Sequence, residues 1–231
     1  MKTKTIIKTA LKEYGISFPL VMLCRLIQYL IAVIFIKPEK FSFNQKSFSY
    51  FIHIYNATFK SERIVEIPIA LNFLKNIPSD QILEIGNVLS HYTDVNHKIV
   101  DKYEKGTNVL NEDIISFQGK FDRIISISTF EHVGFDEEGK DASKVKIAFE
   151  HIKTLLTDEG IALITVPMGY NSFLDNMLFS NAKVFNKVLF MKRTSKFNTW
   201  KEVKVDETKD CQYGVGSPCA NAVAFCFIDN S

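Results

Sequence analysis

The chain has 231 residues, 46% of them hydrophobic, and carries 28 basic against 26 acidic side chains for a net charge of +2. That is enough apolar material for one ordinary domain plus a short appendage, and it excludes a chain disordered by composition. The near balance of charge excludes the strong basic footprint of a nucleic-acid binder.

The first 60 residues read as an appendage. Lys2, Lys4, Lys8 and Lys12 precede an almost unbroken apolar run from Ile16 to Ile36, which Pro38 ends. Three placements stay open for the run: a spanning helix, a helix on a membrane surface, or a helix packed on the domain, where it could also act as a lid. Arg25 near its middle opposes spanning. Lysines on both sides give no clean inside end. Residues 39–60 follow, polar and rich in Phe and Tyr.

From residue 61 to 231 the pattern is regular. Ser61 can cap a helix reaching about Asn76, with Pro68 predicting a kink or two short pieces. Strands are predicted at Gln81–Ile85, Lys98–Asp101, Asn108–Leu110 and Phe121–Ser128. A helix at Ala142–Leu156, closed by Gly160, leads to a fifth strand at Ile161–Val166. A helix or loop over residues 171–186 precedes strands at Val188–Lys192 and Ala222–Ile228. Alternating strands and helices predict a mainly parallel sheet covered on both faces, an α/β architecture. The last two strands lack a long connecting helix, which predicts an antiparallel strand near the C-terminus.

In such a sheet ligands bind beyond the carboxyl ends of the strands. Strand one ends in Glu84-Ile85-Gly86 and strand two in Asp101, an acid suited to ribose hydroxyls. Strand three is followed by Asn111-Glu112-Asp113-Ile114, which offers an acid to an exocyclic amine. Strand four runs into Ser128-Thr129-Phe130-Glu131-His132. A dinucleotide site needs a glycine-rich turn for its pyrophosphate. Here the turn is Gly86-Asn87-Val88-Leu89-Ser90-His91, with one glycine and an acid nearby. A phosphate-free, positively charged nucleoside such as S-adenosyl-L-methionine suits it better. The four cysteines form no CxxC pair and show no zinc spacing, so no metal site and a reduced, cytoplasmic chain are expected.

These segments resemble the class I S-adenosylmethionine-dependent methyltransferases, particularly their small-molecule, type 11-like branch. Ile82–Gly86 resembles the family's first motif, Val100-Asp101 its ribose acid, and Phe121–Ser126 leading into Phe130-Glu131-His132-Val133 its strand-four segment. The resemblance implies a Rossmann-like fold over residues 61–231. It also implies Glu84, Gly86, Asp101, Asp113, Ile114 and Ser128 at the cofactor, and His132 or Glu131 as a base for a hydroxyl acceptor. The acceptor expected is a small molecule, a glycan or a lipid-linked intermediate. No Asn-Pro-Pro-aromatic segment follows strand four, which speaks against methylation of nucleic-acid bases. The loss of glycines keeps two alternatives open: a non-catalytic methyltransferase-like binding protein, and a nucleotide-sugar or NAD enzyme of the wider Rossmann group.

Overall fold

The computed structural model describes residues 18–36, 39–106, 108–216 and 219–230. The expected N-terminal lysines, the start of the apolar run at Ile16, Lys37 and Pro38 lie outside the described residues. The elements in chain order are helix α1 (Phe18–Phe35), strands β1 (Lys40–Phe43) and β2 (Lys46–Ser49), helix α2 (Arg63–Phe73), and strands β3 (Ile82–Ile85), β4 (Lys98–Val100), β5 (Val109–Leu110) and β6 (Phe121–Ile127). Helix α3 (Lys144–Leu155), strand β7 (Leu156–Pro167), helix α4 (Ser172–Phe179) and strands β8 (Lys187–Arg193), β9 (Trp200–Val203) and β10 (Ala222–Asp229) complete it. Among the described residues no helix is long and apolar enough to cross a membrane.

Eight strands form one sheet in the order β5-β4-β3-β6-β7-β10-β8-β9. The first five are mutually parallel. β10 runs antiparallel between β7 and β8, and β9 is a second antiparallel strand at the edge. This is the expected Rossmann-like sheet with its reversed strand near the C-terminus. The chain winds outward from β3 through β4 to β5, then returns to β6 on the other side of β3. The switch point therefore lies between β3 and β6, where the diverging connections leave a crevice.

One face is covered by α3 and α4, through Val145, Phe149, Ile152, Leu174 and Leu178. The other is covered by α2, the β1–β2 hairpin and the last turn of α1, through Ile64, Ile67, Phe41, Phe43 and Ile36. The connections on either side of β4 carry no α-helix among the described residues, only a single 3-10 turn at Leu89–His91.

Several local results differ from the sequence reading, among them the unexpected strand β9 and the start of β7 at Leu156 rather than Ile161. Residues 39–60 contain a hairpin, closed by Asn44 and Gln45 with φ of 48° and 63°. Positive φ at both turn residues matches the right-handed twist of paired strands. Pro68 sits inside one continuous helix. A proline removes the N–H that would reach the carbonyl four residues back. That carbonyl, Ile64 O, accepts from Phe51 N at 3.0 Å instead, which ties the appendage to α2.

Candidate functional site

A cleft of about 330 Å3 opens at the carboxyl ends of β3, β4, β5 and β6, where the switch point places it. Ile85, Val100, Ile114 and Val133 give it an apolar floor. Asp101, Glu104, Glu112, Asp113 and Glu137 bring five carboxylates to its wall against one ammonium, that of Lys102. Gly86, Ser128, Thr129 and His132 also line it.

Gly86 follows β3 at φ +83°, a conformation that L side chains rarely adopt. A Cβ there would collide with the Thr129 hydroxyl and lie 2.9 Å from Thr129 Cγ2. The glycine thus lets the tips of β3 and β6 approach each other beneath the cleft.

The next five residues have no positive φ. Their amides turn inward, onto carboxylates of the chain itself. Glu84 Oε1 accepts from Val88 N and Leu89 N at 2.9 and 2.7 Å, and Glu84 Oε2 lies 2.7 Å from His97 Nε2. Glu84 is fully buried under this loop and does not line the cleft. Asn87 N donates to Asp101 Oδ2 at 3.0 Å, and Asn87 Nδ2 to Glu104 Oε1 at 2.7 Å.

Asp101 Oδ1 accepts from Tyr103 N and Glu104 N at 2.9 and 2.7 Å. Of about four acceptor sites on a carboxylate, three are filled by backbone donors, so one remains for a ligand hydroxyl rather than two. Asp113 is similarly engaged. Its Oδ2 accepts from Lys102 and Lys144, each at 3.0 Å, and its Oδ1 from Ile115 N at 3.1 Å. Glu137 closes the square with Lys102 and Lys144 at 3.1 and 2.6 Å. Partial burial works against the Asp113 charge, but Lys144, the Ile115 amide and Lys102 outweigh it and hold its pKa down at about 2.

At the tip of β6, Ser128 takes φ +41° and points its hydroxyl into the protein, donating to Glu66 Oε1 at 2.7 Å. Glu66 is fully buried. Its Oε1 also accepts from Thr165 at 2.6 Å, and its Oε2 pairs with Arg63 at 2.8 Å. Burial weakens the Arg63 charge, but Glu66 and then Glu62 hold it above its ordinary pKa. Arg63 and Glu66, three positions apart, pair along α2, and Ser128 and Thr165 join them from the sheet.

The two expected bases separate. His132 lines the cleft, and its side chain is 49% exposed. Its Nδ1 bonds Asp136 Oδ2 at 2.5 Å, and the Tyr170 hydroxyl donates to that same oxygen at 2.7 Å. The His132 bond, then the Tyr170 bond, hold Asp136 below its ordinary pKa. Glu131 is buried and lies outside the cleft lining. Burial raises its pKa well above the carboxylate range. Its Oε1 is 3.6 Å from His132 Nε2, beyond hydrogen-bond distance, and its Oε2 has no hydrogen-bond partner.

No family model matches the chain. No curated protein matches it. Several solved structures resemble it. A SAM-dependent methyltransferase from Archaeoglobus fulgidus is 12% identical with a TM-score of 0.47, over 76% of this chain and 98% of that one. The N-methyltransferase NodS from Bradyrhizobium japonicum, solved with S-adenosyl-L-homocysteine, is 10% identical with a TM-score of 0.44, over 74% and 88%. A possible histamine N-methyltransferase from Thermotoga maritima is 13% identical with a TM-score of 0.42, over 69% and 87%.

Of the residues expected from the sequence, the cleft brings together Gly86, Asp101, Asp113, Ile114, Ser128 and His132, and it leaves Glu84 and Glu131 behind its wall. Sequence reasoning missed Asp136, Tyr170, Glu137, Lys102 and Lys144. The spacing His132-x-x-x-Asp136 was the one available signal. The others come from loops whose approach the sequence does not encode locally.

Proposed function

We propose that the chain is an S-adenosyl-L-methionine-dependent methyltransferase acting on a small-molecule, glycan or lipid-linked acceptor. The observation that carries this reading is the charge of the cleft, where five carboxylates outnumber the two ammoniums paired with them, Lys102 and Lys144, around an apolar floor. A dinucleotide would bring a pyrophosphate into that negative field, and no α-helix N-terminus follows β3 to hold it. A cationic nucleoside is attracted by the same field. The residues fit such a group: Asp101 keeps one acceptor site for a ribose hydroxyl, Asp113 keeps one on Oδ1 for an exocyclic amine, and Ile114 and Val100 offer apolar faces to a base.

When bound, the cofactor supplies an electrophilic methyl group. The chain supplies alignment and the removal of a proton. With Asp136 ionised, His132 Nδ1 carries the proton, and Nε2 keeps a free lone pair. Nε2 is then the atom that takes the proton from an acceptor hydroxyl or ammonium. Tyr170 fixes Asp136, and so the plane of the imidazole. Glu131, buried outside the cleft lining and 3.6 Å from Nε2, takes no part in that transfer.

One observation favours the non-catalytic alternative. The amides of Asn87, Val88 and Leu89 all face carboxylates of the chain. None of these three is left for the carboxylate of the cofactor's methionine part. Calorimetry separates the readings. The enzyme reading expects saturable binding of S-adenosylmethionine and S-adenosylhomocysteine, no binding of NAD, and affinity at least tenfold weaker in Asp101→Asn. Absence of binding by both sulfur nucleosides would overturn it.

A further inference from the structure

Helix α1 carries eight of the fifteen large apolar side chains that are exposed among the described residues. Leu23, Leu30 and Ile34 are 53%, 50% and 63% exposed. At 100° per residue, all eight fall within about half of the helix circumference. Arg25 and Tyr29 fall on the opposite half, toward the body, where Ala32 and Ile36 are buried and the Tyr29 ring meets Phe59 at 6.3 Å, while Gln28 is exposed at the edge of the apolar face. The helix therefore turns its one charged residue, Arg25, away from an uncharged and largely apolar outer face. This reverses the pattern of a helix on a water-exposed surface.

Charge along the sequence indicates what covers that face. Residues 1–46 hold eight basic side chains and two acidic ones, a net +6, against −4 for the remainder of the chain. We propose that α1 is an anchor lying in the plane of an anionic lipid bilayer, with its outer face among the acyl chains and the net positive charge of this part of the sequence adding attraction to the headgroups. A second copy of the chain fits less well. A two-helix seam uses a narrow stripe edged by charges, whereas this face is about half the helix wide and has none. Spanning is opposed by the packing of one side of α1 on the body. The anchor stands independently of the methyl-transfer reading. It also has a consequence for the cleft: α1 rests on the segment around Phe59, whose neighbour Tyr55 stacks on His91 at 4.8 Å, and His91 pairs with Glu104 of the cleft wall at 3.0 Å. The cleft is thereby held close to the lipid surface.

The test is flotation of the full chain with vesicles of phosphatidylcholine alone, or of seven parts phosphatidylcholine to three parts phosphatidylglycerol. Light scattering of the free protein is run in parallel. The proposal expects binding to the anionic vesicles, weaker by on the order of tenfold on the neutral ones and in high salt. It expects a similar loss in Leu23→Glu/Leu30→Glu, a variant whose melting curve is unchanged because both positions are exposed. Two results would overturn it: no flotation with either vesicle, or a dimer in solution that the double variant dissociates.

Discussion

Gly86→Ala is the sharpest test of how the cleft is built. Alanine at φ +83° costs roughly 1–2 kcal/mol in backbone strain. Its Cβ would also fall on the Thr129 side chain. Thr129 cannot turn away freely, because its hydroxyl donates to Ile127 O at 3.2 Å. Overpacking of this kind costs about 1–3 kcal/mol. The variant should therefore lose roughly 2–5 kcal/mol in a urea titration followed by circular dichroism. The two parts can be separated. Thr129→Ala removes the hydroxyl and Cγ2 and leaves Cβ, which the new methyl would approach at 3.0 Å. Gly86→Ala/Thr129→Ala should then recover about 1–3 kcal/mol relative to the sum of the single changes, leaving the backbone part. A Gly86→Ala protein within about 0.5 kcal/mol of the parent would refute the reasoning. Strict additivity in the double variant would refute the Thr129 contact alone.

Asp136→Asn should release the His132 tautomer. Nitrogen chemical shifts of the imidazole would show the proton leaving Nδ1, and an unchanged spectrum would remove Asp136 from its positioning role. Glu66→Ala leaves the buried Arg63 charge unpaired and two hydroxyls without their acceptor, so a loss of about 3–5 kcal/mol is expected by chemical unfolding. Asp113 is depressed to about 2, so its contribution is complete above the unfolded value near 4 and is lost as pH falls toward 2. The full shift corresponds to ~2.5 kcal/mol, and solvent screening of this partly exposed group reduces that to roughly 1. Asp113→Asn should flatten the acid limb of the stability curve by that amount, and an unaltered limb would count against the lysine square. Glu131 has the opposite sign. Its raised pKa means that folding is penalised as pH rises above the unfolded value near 4.5. Glu131→Gln should therefore gain stability over the parent between pH 4.5 and 7.5 in paired urea titrations, and equal slopes with pH would contradict its burial as an acid.

The parallel half of the sheet was legible because its strands are short, continuous apolar runs. β3, β6 and β7 are buried on both faces, and the pattern shows it. The hairpin and β9 were not legible. Their turn lacks the usual glycine, since Gln45 takes the second positive φ, and β9 is only four residues at the sheet edge. Pro68 misled for a specific reason: the freed carbonyl finds a donor on Phe51, outside the helix. At the site, Asp101 and Asp113 could be placed from their positions after consecutive strands. Their partners could not, because Lys144 reaches Asp113 across 31 positions. Glu66 is the extreme case. Its bonds to Ser128 and Thr165 span 62 and 99 positions, so local spacing shows only its partnership with Arg63.

The single glycine after β3 has a physical explanation in this arrangement. A glycine-rich turn is required when successive amides must point outward at a ligand, since that geometry calls for positive φ or very close approach. Here the amides of residues 87–89 point inward at Glu84 and Asp101, with φ negative throughout. Only Gly86 must take the left-handed conformation. The acids therefore do locally what glycines do in a phosphate-binding turn: they fix the loop. Their charge has the reverse consequence. A turn of outward amides attracts anions, whereas a loop pinned by carboxylates makes the adjoining cleft negative. The fixing of the loop and the preference for a cation at the cleft thus have one cause. Neutralising Asp101 should disturb both together, whereas neutralising Asp113, which sits in the lysine square rather than under the loop, should weaken ligand affinity and leave the loop in place.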